Sequence, residues 1–362
     1  MLTSTQAKVR KFPCLQCGAD VRWDPGATSL KCDYCGALRD VAPSGPAVVE
    51  KSVDAALRQP RDLGWGAERK VIACQRCGAH TALDPQVAAA ECAFCGTAAV
   101  VEAPPDAKMV RPEGLLPFRV TRETAVERFR QWISGLWFRP GDLETRARLA
   151  NIHGAYIPFW TFDAVTDSWW TAEAGYYYYV DVQVRQNGRL VTRRERRVRW
   201  EPASGTLQKF FDDVPVPASR GIEADLCREI EPFPTGELAP YDPSYLAGFL
   251  AEENAVDLPE ALEQARQRMH VAIRAACAAE VPGDTQRNLE VTTRFSALAY
   301  KNCLLPIWIA AYEYHGRPYR FLVNGVTGKV SGRAPWSWVK IGLAVLAAAA
   351  LAIALLALFG QS

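Results

Sequence analysis

Eight of the chain's eleven cysteines fall into two copies of one pattern. Cys14-x2-Cys17 is followed after fourteen residues by Cys32-x2-Cys35, and Cys74-x2-Cys77 after fourteen residues by Cys92-x2-Cys95, each cysteine lying 60 residues beyond its counterpart. A Cys-x-x-Cys turn sets two thiolates on one side of a tight knuckle. The glycine after each pair (Gly18, Gly36, Gly78, Gly96) permits the left-handed backbone such a turn needs. Two knuckles facing each other offer four sulfurs in a tetrahedron, the ligand set of a zinc ion. With cysteine at all four positions no coordination site stays open, so two structural Zn2+ ions are expected and no catalytic one. A disulfide framework is disfavoured in a reducing compartment, and a redox dithiol needs one pair rather than four in register.

The segments that must hold these thiols repeat as well. CLQCGAD…WDPG…KCDYCGA matches CQRCGAH…LDPQ…ECAFCGT, an internal repeat whose Asp-Pro turns (Asp24-Pro25, Asp84-Pro85) suit a small β-hairpin. The expectation is two zinc ribbons, residues 8–40 and 69–101, each too small for a core and folded largely by its metal. His80 reads as a surface residue rather than a fifth ligand. Neither ribbon has the dense basic face of a phosphate binder, which favours protein contact over nucleic acid. The linker 41–68 places Val49, Val53 and Leu57 four residues apart between Pro46 and Pro60, the pattern of a short helix.

From 111 to 335 cysteine thins out and aromatics crowd in, predicting a mixed α+β domain. Ala125, Val126, Phe129, Trp132 and Ile133 line one face of a helix within 121–137, and Asp257 opens another with Leu262, Ala265, Met269, Ile273 and Ala276. Asp242-Pro243 predicts a third helix over SYLAGFLAEE. Asn187-Gly188 between β-rich runs predicts a hairpin, and LLPIWIAAYEY, PYRFLV and VTGKV read as strands. Val120-x4-Ala125 and Tyr156–Trp160 echo Val256-x4-Ala261 and Leu304–Trp308, which predicts two related units in one domain.

Chemistry in this domain is sparse. His153, His270 and His315 have no metal-ligand spacing, and neither a phosphate-binding G-x-x-x-x-G-K-[ST] loop nor a G-x-S-x-G elbow occurs. Cys227, Cys277 and Cys303 are isolated and read as core residues. No catalytic residue is assigned and an enzyme is not expected. One charge feature stands out: Arg193, Arg194, Arg196, Arg197 and Arg199 crowd the second hairpin strand, with charge on both faces. That suits an edge guarded against aggregation, or a contact for lipid headgroups or an acidic partner.

Ile341–Phe359 contains only Ile, Gly, Leu, Ala, Val and Phe, long enough as a helix to match a bilayer core. It predicts one C-terminal transmembrane helix, 339–359, with Trp336 and Trp338 at the interface and Lys329, Arg333 and Lys340 on the cytoplasmic side. No signal peptide is evident in MLTSTQAKVRKF. A single-pass, tail-anchored protein of the inner (cytoplasmic) membrane is expected, with its bulk in the cytoplasm.

The paired ribbons, DVPVPAS (Asp213–Ser219), PYDPSYLAGFLAEE and LLPIW…YEYHGRPYRFLVNGVTGKVSGRAPWSWVKI together resemble a bacterial family of membrane-anchored TFIIB-type zinc-ribbon proteins, often labelled primosomal-protein-N′-like. One ribbon is more usual there, and the helicase flavour of the label does not transfer without a nucleotide-binding loop. The resemblance implies partners like phage-shock-protein-A-type membrane-remodelling proteins and SPFH-type scaffold proteins, and a role at a stressed membrane. The function expected is an adaptor that recruits protein partners at the membrane. The alternatives are a membrane-tethered nucleic-acid-binding ribbon protein and an enzyme using the α+β domain.

Overall fold

The computed structural model describes residues 12–41, 47–58, 70–83, 92, 94, 100–103, 112–143, 151–186, 189–315 and 317–359. In chain order the first ribbon supplies β1 (Val21–Asp24), β2 (Ser29–Cys32) and β3 (Leu38–Arg39), followed by β4 (Lys51–Ser52) and α1 (Val53–Arg58). The second supplies β5 (Lys70–Cys74), β6 (His80–Leu83) and β7 (Val100–Ala103). Then come β8 (Gly114–Leu115), α2 (Arg122–Ser134), β9 (Asn151–Gln186), β10 (Arg189–Pro217), α3 (Ala224–Glu229), β11 (Ala239–Pro240) and β12 (Leu250–Glu252). α4 (Leu258–Glu280), β13 (Thr285–Tyr314), β14 (Arg317–Asn324), β15 (Val330–Gly332) and α5 (Trp338–Phe359) complete the chain. The class is mixed α+β, as expected.

Three long antiparallel strands form the spine, with β9 between β10 and β13. The two segments expected to correspond lie against each other at its centre: Ile157 faces Leu305, Pro158 faces Leu304 and Pro306 faces Tyr156. A local twofold axis at the Ile157–Leu305 pair relates the two halves. Trp160 donates its indole N–H to the Val256 carbonyl (2.9 Å), and Trp308 donates to Val120 (2.8 Å). Ala218 N–H donates to Pro158 as Gly325 N–H donates to Pro306. The short parallel strands obey the same operation, β12 on Ala155–Tyr156 and β8 on Cys303–Leu304.

The helices follow suit. Thr121 caps α2 by accepting from Thr124 N–H, and Asp257 caps α4 by accepting from Glu260 N–H. α2 packs with Phe129 and Ile133 against Phe321 and Tyr312 of the later half, while α4 buries Leu262, Ala265, Met269 and Ile273 beside Trp160 and Phe162 of the earlier one. Each helix thus covers strands from the opposite half. Ribbon two and α3 close a third core around Ile157 and Leu305.

Three expectations are corrected. The helix over SYLAGFLAEE is a 3-10 turn, Pro243–Leu246, followed by β12. Asp242 caps it as predicted, but Gly248 at φ +87° turns the chain into a strand. The linker helix is shorter than predicted: Lys51–Ser52 join the sheet beside β13, and only Val53 of the predicted stripe is buried. The predicted transmembrane segment is helical in α5, but among the described residues no helix is long and apolar enough to cross a membrane. The described side chains of α5 end at Leu355, with Ala354 also outside them.

Beyond the Gly175–Thr285 pair, β13 no longer accompanies β9. Residues 176–186 and 189–199 continue as a two-stranded arm, roughly 35 Å long at about 3.3 Å per residue. The turn residues Asn187 and Gly188 lie outside the described residues, but Gln186 pairs with Arg189 as a two-residue connection demands. α5 leaves from the other end of the spine, where Ser337 N–H donates to Phe138 and Tyr314 donates to Asp142 near the start of β9.

Candidate metal centres and charged clusters

The first cysteine set is brought together as its spacing predicts. Gly18 N–H donates to Cys14 and Gly36 N–H to Cys32, both glycines at φ +75°, while Cys14 and Cys32 donate to Ala19 and Ala37. A Cβ on either glycine would meet nothing within 4 Å, so the requirement is the left-handed backbone, not space. Cys14 and Cys35 sulfurs lie 3.5 Å apart, as do those of Cys17 and Cys32. This is too far for a disulfide, at about 2.05 Å. It is close to the ~3.8 Å edge of a tetrahedron with metal–sulfur bonds of ~2.3 Å. All four sulfurs lie within 4.8 Å of one another and could hold a metal ion.

The second set repeats the geometry where it is described. Gly78, also at φ +75°, donates to Cys74, Cys74 donates to Ala79, and the Cys77 and Cys92 sulfurs lie 3.8 Å apart. Cys74, Cys77 and Cys92 form the described part of the cluster; Cys95 lies outside the described residues. His80 is an exposed residue of β6.

The thiols are unequal within each cluster. Backbone amides of Gln16 and Cys17 hold the Cys14 thiol down to about 6. Its contact with Cys92, and then burial, push the Cys77 thiol far above the ordinary range. Crowded sulfurs admit one thiolate and resist the next, and a dication relieves that repulsion.

Neither ribbon stands apart from the domain. Trp23 donates its indole N–H to Phe118 (2.9 Å), packs against Tyr245 at 4.8 Å and accompanies the buried Cys14 and Cys32 into the first core. Ribbon two joins the large sheet, Ala82 and Thr81 of β6 pairing with Ala251 and Glu252. The knuckle surface of ribbon one remains outside, where Leu15 and Tyr34 are more than four-fifths exposed.

The five arginines of the second hairpin strand lie on the arm, on both faces, as predicted. Arg194 sits over Tyr179 (4.6 Å), Arg196 over Tyr177 (4.3 Å) and Arg199 over Tyr176 (5.8 Å). Arg197 lies 3.8 Å from Glu195, and Arg193 faces Val182 across the ladder. Tyr178 and Tyr179 are about half exposed.

Sequence reasoning missed a further cluster. Glu50, Asp163 and Asp212 bring three carboxylates within 4.8 Å of one another, a group that could also hold a cation. Lys301 lies beside it, 2.7 Å from Asp213 and 3.4 Å from Glu50. Asp213 adopts φ +49° at a bulge in β10 and donates its N–H to Asp163 (2.6 Å). Four chain segments contribute, so no spacing in the sequence announces the group.

No protein-family model matches the chain. It is similar to YdjG, an uncharacterized protein of Bacillus subtilis (strain 168), with 28% identity over 241 residues. That stretch is 64% of this chain and 65% of the relative, so the chain spans about two thirds of that relative's length. No solved structure matches.

Proposed function

We propose that the chain is a membrane-attached adaptor whose two cysteine clusters each hold a structural zinc ion. One observation carries the adaptor reading: two uncovered projections among the described residues leave opposite ends of one continuous sheet. At one end α5 presents Leu343, Val345, Leu346, Leu351 and Ile353 to the outside, each more than three-fifths exposed, with Trp336 and Trp338 exposed at its base. Apolar side chains in that number need cover, and a lipid phase supplies it. At the other end the arm presents arginines to a partner. Between them β9 spans on the order of 80 Å from Asn151 to Gly175, a spacer that holds the arm clear of the surface to which α5 attaches. Lipid contact by the arm's arginines is thereby disfavoured, and an acidic protein surface is the partner chemistry that fits. The exposed knuckle of ribbon one, Leu15 with Tyr34, offers a second contact. Partners of the membrane-remodelling and scaffold kinds implied by the resemblance are the ones to test first. We read the twofold-related halves as a duplicated unit.

Flotation of the full chain with liposomes tests attachment, and photo-crosslinking in cells from Tyr177 and Gln16, exposed neighbours that the variants below retain, tests recruitment. Crosslinked proteins that vanish when Tyr178–Arg197 is replaced by Asn-Gly support the adaptor. A partner set unchanged by that replacement and by Leu15→Ser with Tyr34→Ser overturns it.

A second reading has its own support: exposed tyrosines beside arginines are also the surface that stacks bases and neutralises phosphates of single-stranded nucleic acid. A salt-dependent shift of an oligonucleotide, lost with the shortened arm, would favour it.

A further inference from the structure

Beside the second cysteine cluster lies a cavity of about 420 Å3 walled by Arg76, Arg220, Arg320 and Arg333, with Tyr319 and Ile222 between them. The four arginines come from ribbon two, the turn after β10, β14 and the segment after β15. Arg320, the least exposed, donates to the Gly221 carbonyl (2.7 Å) and to Glu223 (2.8 Å). Arg220 donates to Glu260 (2.8 Å) and the Ala255 carbonyl (3.2 Å), and Arg333 pairs with Asp225. Arg76 makes no ion pair among the described residues. A guanidinium has five N–H donors, so these bonds leave donors over on every one of the four. Among the described residues Glu223 is the only carboxylate on the wall, and a low-dielectric cleft focuses the remaining positive field.

Compensation of a metal-bound thiolate cluster, which carries negative charge, is the rival explanation. Arg220, Arg320 and Arg333 pair with Glu260, Glu223 and Asp225 here, just as Arg22 and Lys31 pair with Asp33 and Asp24 around the first set, so zinc content and not pairing separates the two explanations.

We propose that this cavity binds a phosphate group, with Arg320 at its floor, Arg76 and Arg220 at its mouth, and the organic part of the ligand against Tyr319 and Ile222. Guanidinium forks match phosphate oxygens two by two, and a volume of this size takes a small molecule. Arg333 lies a few residues before α5, so the phosphate could belong to a lipid headgroup or to a soluble ester. The site itself does not depend on α5 attaching to a membrane.

The full chain in detergent micelles is titrated calorimetrically at low salt with inorganic phosphate, pyrophosphate and glycerol 3-phosphate, and its zinc content is measured in parallel. Saturable binding that weakens about tenfold or more in Arg76→Gln and in Arg220→Gln, with zinc content unchanged, is expected. Glycerol 3-phosphate binding tighter than pyrophosphate supports the site with a headgroup as its source; the reverse order supports it with a soluble ester. Absence of binding by all three probes overturns the proposal. So does equal affinity in Arg76→Gln, or loss of zinc in step with loss of phosphate.

Discussion

The acidic cluster at Asp163 and the arginine cavity at Ala311 occupy equivalent places in the two halves. Asp163 faces Ala299 across the ladder as Ala311 faces Asn151, and the neighbours on the next strand are Asp213 and Arg320. One place gathers carboxylates around Lys301, whereas the other gathers guanidiniums around an open volume. The backbone frame is held mainly by ladder hydrogen bonds, with Asp163 accepting from the Asp213 N–H at the bulge, so charge can invert while the frame persists. The segment laid over each place differs as well: the linker carrying Glu50 at one, ribbon two carrying Arg76 at the other. Charge at equivalent positions thus diverges in the repeated strands themselves, Asp213 against Arg320, and the cover adds to it.

The comparison can be broken in four ways. The largest effect is expected at the cysteines. Cys32→Ser and Cys92→Ser should each remove one of two zinc ions and destabilise the chain by more than about 4 kcal/mol. Because the two ribbons enter different cores, the losses should add in the double variant. Metal analysis and thermal melts report both, and loss of both ions from one substitution would show a shared unit.

Next comes pH. Burial, then the adjacent Glu50 and Asp213 carboxylates, push the Asp163 carboxyl up to about 6. The folded chain therefore holds that proton more tightly than the unfolded chain. Stability present below about pH 4 should fall as pH rises through 6, by on the order of 2–3 kcal/mol. Asp163→Asn should flatten this slope, since the place equivalent to it is Ala311; a slope that persists would assign the titration elsewhere. A smaller effect tests the twofold itself. Trp160→Phe and Trp308→Phe each remove one indole-to-carbonyl bond and should cost about 1–2 kcal/mol apiece. Markedly unequal denaturant midpoints would break the equivalence. Least of all, replacing Tyr178–Arg197 by Asn-Gly should move the melting free energy by no more than about 0.5 kcal/mol, because among the described residues no other element pairs with the arm there.

Local signals carried well from sequence to structure. The knuckles were legible because Cys-x-x-Cys-Gly encodes its own turn. α2 and α4 were legible because one stripe of each is buried in a single environment. The correspondence of Pro158 with Pro306 was readable from a five-residue echo. β9 was not readable as one strand of 36 residues, since it passes from core to half-covered sheet to free arm and its burial pattern changes each time. The Gly248 turn was missed because the Asp242-Pro243 start signal outweighed one glycine. Both charged sites escaped notice because each is assembled from distant segments, and the fold, not spacing, brings them together.

The exchange of helices between halves has a consequence for synthesis. Trp160 and the strand surface around it are complete early, yet their cover, Val256 and α4, is made much later. At about 5–20 residues per second the earlier half waits on the order of ten seconds with β9 and β10 uncovered. Neither half can bury its own strands, so folding in stages is closed to this domain, and non-local pairing of this kind is slow. Charged residues along β10, from Arg193 to Arg199, would discourage waiting chains from pairing with one another. A nascent chain stalled before α4 should accordingly bind chaperones, and one stalled after β14 should not.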